Sequence, residues 1–207
     1  GGPAKVAVIA SCLLGMINGS APANVVTTGS FTIPLMKKVG YDPPFAAAVE
    51  AVASTGGQIM PPIMGAVAFI MADFLQIPYW KVAMSAFIPG ILYYCSCLAT
   101  VHLRAVKKGL KGISNNEFPK AKDALLARGH LIISIILLTF LLIKGYTPMF
   151  AAFYSIVSLL LISQIRGNTR LTLKSIYCAL EKSAYSTLSV GIACAVVGII
   201  VGTASLT

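Results

Sequence analysis

Gly15 to Gly40 reads GMINGSAPANVVTTGSFTIPLMKKVG, and the fold turns on this stretch. It is apolar enough to lie in a bilayer. Yet Asn18, Gly19, Ser20, Pro22, Asn24, Thr27 and Thr28 fall together within about three helical turns. In hydrocarbon an unpaired amide or a freed backbone group costs several kcal/mol. Such a cluster is tolerated only where it lines a cavity, binds something or is covered by protein.

Working outward, Val6 to Ile17 is an apolar helix of about twelve residues, short of the roughly 20 needed to span a bilayer. Ser20 to Pro22 interrupts it, and a second short helix runs from Ala23 to Met36, ending at Lys37-Lys38-Val39-Gly40. Two short arms with lysine at both mouths predict a re-entrant hairpin over 1–40, its tip near the midplane. The alternative is one long spanning helix kinked at Pro22. That would place Lys5 and Lys37-Lys38 on opposite sides, against the tendency of basic residues to stay cytoplasmic.

The chain as a whole is 57% hydrophobic and 11% charged, with mean hydropathy +0.85. A soluble domain of 207 residues cannot hide that much apolar surface, and the alternation of a membrane β-barrel is absent. The expected class is therefore an all-α multi-pass membrane protein. The net charge of +10 comes from basic residues flanking apolar runs, which suits membrane topology and not nucleic acid. Cys12, Cys95, Cys97, Cys178 and Cys194 have no zinc-site or CxxC spacing and read as small apolar residues. No Met begins the chain and no polar tail ends it, so an internal piece of a longer protein is expected.

The segment 41–111 holds a helix broken in the middle and a following transmembrane helix. The turn Tyr41-Asp42-Pro43-Pro44 starts the first, and its centre is Ser54-Thr55-Gly56-Gly57-Gln58-Ile59-Met60-Pro61-Pro62. Two glycines and two prolines remove helix propensity and free backbone carbonyls, the pattern of discontinuous helices that build midplane sites in secondary transporters. Val82 to Leu103 is a spanning helix bent at Pro89-Gly90. Residues 112–128 form a polar cytoplasmic connector, and 129–207 hold three transmembrane helices with an interfacial helix at 171–185.

Charge tests this layout. If the hairpin returns to its own side, Lys5, Lys37, Lys38, Arg104, Lys107, Lys108, Lys111, Lys120, Lys122, Arg128, Arg166, Arg170, Lys174 and Lys182 share one face, leaving Lys81 and Lys144 opposite. The larger group is placed in the cytoplasm.

Ser20, Asn24, Thr27 and Thr28 at the hairpin tip, and Ser54, Thr55, Gly56, Gly57 and Gln58 at the break, supply neutral oxygens. Such oxygens suit Na⁺, which is hard and singly charged, while half-helix N-termini favour an anion. Close helix packing by small residues is the competing reading. Glu50, alone in FAAAVEAVAS, could bind a cation, take a proton or brace the break; Asn18 is a tip ligand or a brace. GxSxG, HExxH, Walker A and GxGxxG patterns are all missing from the sequence, so an enzyme is not expected.

The stretch GSAPANVVTTGSFTIPLMKKVGYDPPFAAAVEAVASTGGQIMPPIMGAVAFIMA resembles the large membrane subunit of tripartite ATP-independent periplasmic (TRAP) transporters, closest to the fused-permease type with a TAXI-class periplasmic partner. The final GIIVGTASLT is also similar to the family. This resemblance implies an elevator-type secondary transporter of two inverted repeats, each with a re-entrant hairpin and a broken helix. It implies Na⁺-coupled uptake of an organic acid delivered by a periplasmic solute-binding protein, in a bacterial or archaeal plasma membrane, with a small membrane subunit or fused equivalent.

Carried onto this chain, the resemblance puts Na⁺ between Ser20, Asn24 and Ser54 to Gly57. Substrate lies near Thr28, with Thr27, Asn18 and Gln58 beside it, and no cofactor is expected beyond the coupling ion. A Na⁺-dicarboxylate symporter without a binding protein and a non-transporting membrane assembly subunit are the alternatives.

Overall fold

In the structure, a computed structural model, residues 2–110, 129–165 and 169–206 are described, and all the regular structure among them is helical. The expected connector at 112–128 lies outside the described residues. Two compact units divide the chain, Gly1–Ser155 and Ile156–Thr207.

In the first unit, α1 (Gly2–Asn18) and α2 (Ala21–Lys38) are joined by a two-residue turn. Gly19 reverses the chain with φ +63, in the left-handed region that glycine enters freely. Ser20 then caps α2: its hydroxyl accepts from the Ala23 N–H at 3.4 Å, and Pro22 sits in the first turn, where its missing N–H is no loss. Ser11 faces Thr28 and Gly15 faces Asn24, so the two arms run antiparallel as a helical hairpin.

A second turn leads to α3 (Pro43–Gly56), which opens on two prolines. The chain leaves the helix at Gly57 and resumes it as α4 (Ala66–Phe74). The nine residues between are tied off by the Gly65 N–H donating to the Gln58 carbonyl at 2.8 Å. Tyr79 opens α5 (Tyr79–Lys107), and its hydroxyl donates to the carbonyls of Pro62 and Ile63. Its one hydrogen is shared between two freed carbonyls of the break, which need a donor where water is scarce. Further along α5, Tyr93 and Tyr94 donate to the carbonyls of Val52 and Ala53, each at 2.8 Å, holding the last turn of α3.

Small side chains set the spacing of these helices. Ala4, Ala7, Ala46, Ala53 and Ala105 are buried where α1, α3 and α5 meet, with Met36 of α2 filling the gap. Alanine contacts let backbones approach closely, as in membrane helix pairs. A second cluster joins Met64, Ala68, Ala72, Tyr79 and Val82 to Leu142 of α6 (Ile132–Ile143) and Ala151 of α7 (Pro148–Ser163). The outward faces are apolar instead of polar: Val6, Ile9 and Leu13 on α1, Val26 and Phe31 on α2, Met84, Ile88 and Leu92 on α5 are exposed. An apolar exterior of this extent matches a hydrocarbon surround and not water.

Among the described residues, α5 is the one helix long and apolar enough to cross a membrane, at 29 residues. Two of the transmembrane helices expected within 129–207 fall on α6, with 12 residues, and α7, with 16. At 1.5 Å per residue they reach about 18 and 24 Å, below the roughly 30 Å hydrocarbon thickness. In the second unit, the separate interfacial helix expected at 171–185 is replaced by one continuous helix, α8 (Leu173–Leu206). Nothing between Leu173 and Leu188 breaks a helix, since the first glycine is Gly191 and proline is absent.

An ion-pair cluster ties the turn before α3 to the end of α5. Asp42 lies 2.5 Å from Lys108 and 3.2 Å from Arg104. The Lys108 hydrogen bond, aided by Arg104, holds the Asp42 carboxyl below its ordinary value of 3.8. A depressed carboxyl stabilises the fold above that ordinary value and loses its contribution as pH falls through the lower, folded-state value. Asp42→Asn is therefore expected to lower the melting temperature only slightly at neutral pH, because the pair is half exposed. The difference from the parent should shrink in high salt and vanish in strong acid, measured by thermal unfolding in detergent.

Candidate functional site

Three helices converge on one small polar seam. Gly15 of α1 and Gly57 at the end of α3 meet backbone to backbone: a Cβ built on Gly57 would lie 2.5 Å from the Gly15 Cα, and one on Gly15 would lie 2.9 Å from the Gly57 Cα. Glycine is needed here for contact and not for conformation, since Gly57 has helical angles, φ −60 and ψ −28. Gly56 is the last helical residue and Gly57 its cap, and both are buried, so the contact falls where the helix ends.

Asn24 of α2 completes the crossing. It has no exposed surface, and its Nδ2 donates to the Ser11 carbonyl at 2.8 Å. Its Oδ1 is buried without a hydrogen-bond partner. An orphan acceptor of this kind is uncommon in a folded interior and calls for an explanation. The amide nitrogen of the same side chain faces the last turn of α1, 3.0 Å from where a Cβ on Gly15 would lie.

One turn along α2, a second cluster surrounds Glu50. The carboxylate has no exposed surface, and four hydroxyls converge on it. Ser11 donates to Oε1 at 2.6 Å, Ser54 to Oε1 at 3.2 Å, Thr32 to Oε2 at 2.5 Å, and Thr28 also to Oε1. Ser11 belongs to α1, Thr28 and Thr32 to α2, and Ser54 to α3, so Glu50 joins both arms of the hairpin to the broken helix. A Cβ on Gly29 would come within 3.2 Å of Glu50 Cγ, so a glycine there lets the carboxylate reach its donors.

Of the residues singled out from sequence, Asn24, Thr28, Glu50, Ser54 and Gly57 are buried along this seam, and Gly56 is buried against Tyr93 and Tyr94 of α5. Ser20 and Asn18 shape the tip instead: the Ser20 N–H donates to Asn18 Oδ1 at 2.9 Å. Gln58 lies partly buried against Gly65 in the break. Thr27 and Thr55 are exposed, each hydroxyl turned onto a carbonyl of its own helix, Ala23 and Ala51, at 2.8 Å. Sequence reasoning missed Ser11, Gly15 and Thr32. A signal existed: Ser11 and Gly15, Thr28 and Thr32, and Glu50 and Ser54 are pairs four apart, each on one helical face.

Comparison with known proteins now has a structure to attach to. The family model "Tripartite ATP-independent periplasmic transporter, DctM component" matches residues 1–207. The chain is 34% identical over 112 residues to the isethionate TRAP transporter permease protein DctMQ of Oleidesulfovibrio alaskensis, covering 54% of this chain and 17% of that protein. It is 31% identical over 142 residues to the C4-dicarboxylate TRAP transporter large permease protein DctM of Vibrio cholerae, covering 66% and 30%. Against the DctM protein of Pseudomonas aeruginosa the identity is 30% over 156 residues, covering 73% and 35%. The chain thus spans about a third or less of the length of these relatives. No solved structure matches it. With the family model matching from end to end, the chain belongs to the DctM component family of tripartite ATP-independent periplasmic transporters, membrane permeases by kinship and by their apolar exterior.

Proposed function

We propose that the chain is part of the permease of a Na⁺-coupled secondary transporter that imports an organic acid handed over by a periplasmic solute-binding protein. The single observation that carries the Na⁺ reading is the buried, unpartnered Oδ1 of Asn24 at the crossing of Gly15 and Gly57. Na⁺ is a hard cation that takes neutral oxygens, and helix C-terminal ends beside unwound backbone are its usual surroundings in transporters of this type. The organic-acid reading draws on the relatives, two named for C4-dicarboxylates and one for isethionate. In this reading α1 and α2 form a re-entrant hairpin opening to the cytoplasm of an inner membrane. The hairpin and the broken helix move together as part of an elevator built from inverted repeats, alongside a small membrane subunit or its fused equivalent.

The test is uptake by the complete transporter in proteoliposomes, titrated with external Na⁺ in the presence of the binding protein. Asn24→Ala should raise the Na⁺ concentration for half-maximal uptake about tenfold or more, the effect of losing roughly 1.4 kcal/mol of binding. Ser20→Ala should have a smaller effect in the same direction, because its hydroxyl acts on the tip and not on the ion. Unchanged Na⁺ activation in both variants would remove the ion from this seam. Equal uptake with and without the binding protein would favour a symporter that works alone.

A further inference from the structure

A groove runs between α3 and α5. Phe45, Val49 and Val52 of α3 and Cys97, Thr100 and Val101 of α5 line a cavity of about 210 Å³. The two helices are antiparallel there, since Tyr93 donates to the Val52 carbonyl at one end and Arg104 meets Asp42 at the other. Val52 lies seven residues beyond Phe45, so the groove is about 10 Å long at 1.5 Å per residue. Spread over that length, the volume admits one hydrocarbon chain and not a helix, whose body is about 10 Å across. Thr100 adds little polarity, because its hydroxyl donates to the Ser96 carbonyl of its own helix at 2.9 Å.

Arg104 continues the lining face of α5 one turn past Thr100 and Val101. Its guanidinium carbon lies 5.4 Å from the centroid of the Phe45 ring, so a cation caps the groove at the Asp42 end. The side chain is 38% exposed and within reach of a ligand, and its Nε has no hydrogen-bond partner. Asp42 is shared between this guanidinium and Lys108, and Lys107 is exposed in the same last turn of α5. Three cations thus stand around one carboxylate, and the cap stays positive. With the 29-residue α5 centred in a bilayer, the roughly 30 Å of hydrocarbon ends about ten residues either side of Tyr93, just short of Arg104. The groove then lies among acyl chains and its cap among headgroups.

We propose that this groove binds an anionic phospholipid, one acyl chain lying between α3 and α5 and the phosphate meeting Arg104. A guanidinium is shaped for phosphate oxygens and is lightly hydrated, so it gives up little water on meeting one. Lys107 and Lys108 beside it favour a headgroup of net negative charge over a zwitterionic one. Asp42 competes with that phosphate for the guanidinium, as well as pairing with it in the absence of lipid. The bound lipid adds a further tie between α3 and α5, beside those made by Tyr93 and Asp42. The site requires a bilayer around the chain and is independent of the Na⁺ reading.

Native mass spectrometry of the complete permease, equilibrated in detergent with equal amounts of phosphatidylglycerol and phosphatidylcholine, tests this. The parent should retain phosphatidylglycerol in preference. Arg104→Gln should cut that preference about fivefold, the effect of one basic residue at an anionic surface, and Arg104→Lys should keep most of it. Asp42→Asn separates a lipid site from an ion pair that only braces the turn. With its competitor gone, Arg104 should hold phosphatidylglycerol more tightly by a similar factor, although the same substitution slightly lowers thermal stability. Ala48→Phe fills the groove with every charge in place and should reduce retention of both lipids, which also serves should Arg104→Gln fail to fold. An unchanged preference in Arg104→Gln, a loss of phosphatidylglycerol in Asp42→Asn, or unchanged retention in Ala48→Phe overturns the proposal. The last of these is the result expected if another helix of the complete permease covers the groove.

Discussion

Gly57→Ala is expected to unseat α1 from α3 and to destabilise the permease by about 1–3 kcal/mol, the usual cost of overpacking a tight contact. The added methyl would lie 2.5 Å from the Gly15 Cα and 2.6 Å from its carbonyl carbon. These are backbone atoms of the last turn of α1, which cannot step aside as a flexible side chain can. Relief requires the whole of α1 to shift, and α1 carries Ser11, whose carbonyl holds Asn24 and whose hydroxyl holds Glu50. The expected signature is a lowered melting temperature in detergent together with weakened Na⁺ activation of uptake. Gly191→Ala is the control: its Cβ meets nothing within 4 Å, so it should be neutral or slightly stabilising through helix propensity. Equal thermal behaviour of the two variants would show that the crossing tolerates separation.

Gly19→Ala should be as damaging, for two reasons that can be separated. Gly19 has φ +63, where an alanine pays about 1–2 kcal/mol, and its Cβ would lie 2.2 Å from the Met64 carbonyl oxygen. The hairpin tip therefore touches the break of the α3–α4 helix through backbone alone. Uptake is expected to fall at least tenfold, on the order of 1.4 kcal/mol or more lost from the working geometry. Gly19→Asn distinguishes the causes, since asparagine enters the left-handed region at little cost but still carries a Cβ. Loss of uptake in both variants assigns the requirement to the contact with Met64. Recovery in Gly19→Asn would assign it to the backbone angle.

The elements of the hairpin and the broken helix were legible because their boundaries are local chemistry. Gly19, Ser20 and Pro22 end one helix and start the next, and Pro43-Pro44 start a third, by the same rules in any surroundings. Legibility failed where a residue type has two uses. Gly57 can end a helix or admit a neighbour, and only the position of Gly15 shows that it does the second as well as the first. Tyr185 and Ser186 were read as a division between two helices on a change of polarity, but polarity does not bend a backbone, and α8 runs through. Thr28 stands out beside the helix breakers of the tip, while Thr32, one turn further and also bonded to Glu50, is marked only by its four-residue spacing from Thr28.

By itself the sequence determined that this is a helical chain for an apolar surround, where its helices are broken, and that its polar residues concentrate at two of those breaks. Those properties follow from transfer free energy and backbone sterics, which act residue by residue. The tertiary structure alone decided which polar groups meet. Rotating α1 or α2 by half a turn about its axis would leave every helix boundary unchanged, yet it would take Ser11 and Thr32 away from Glu50 and Asn24 away from Gly15. The rotation is set by the glycine and alanine contacts between backbones, a property of pairs of helices that no single stretch contains.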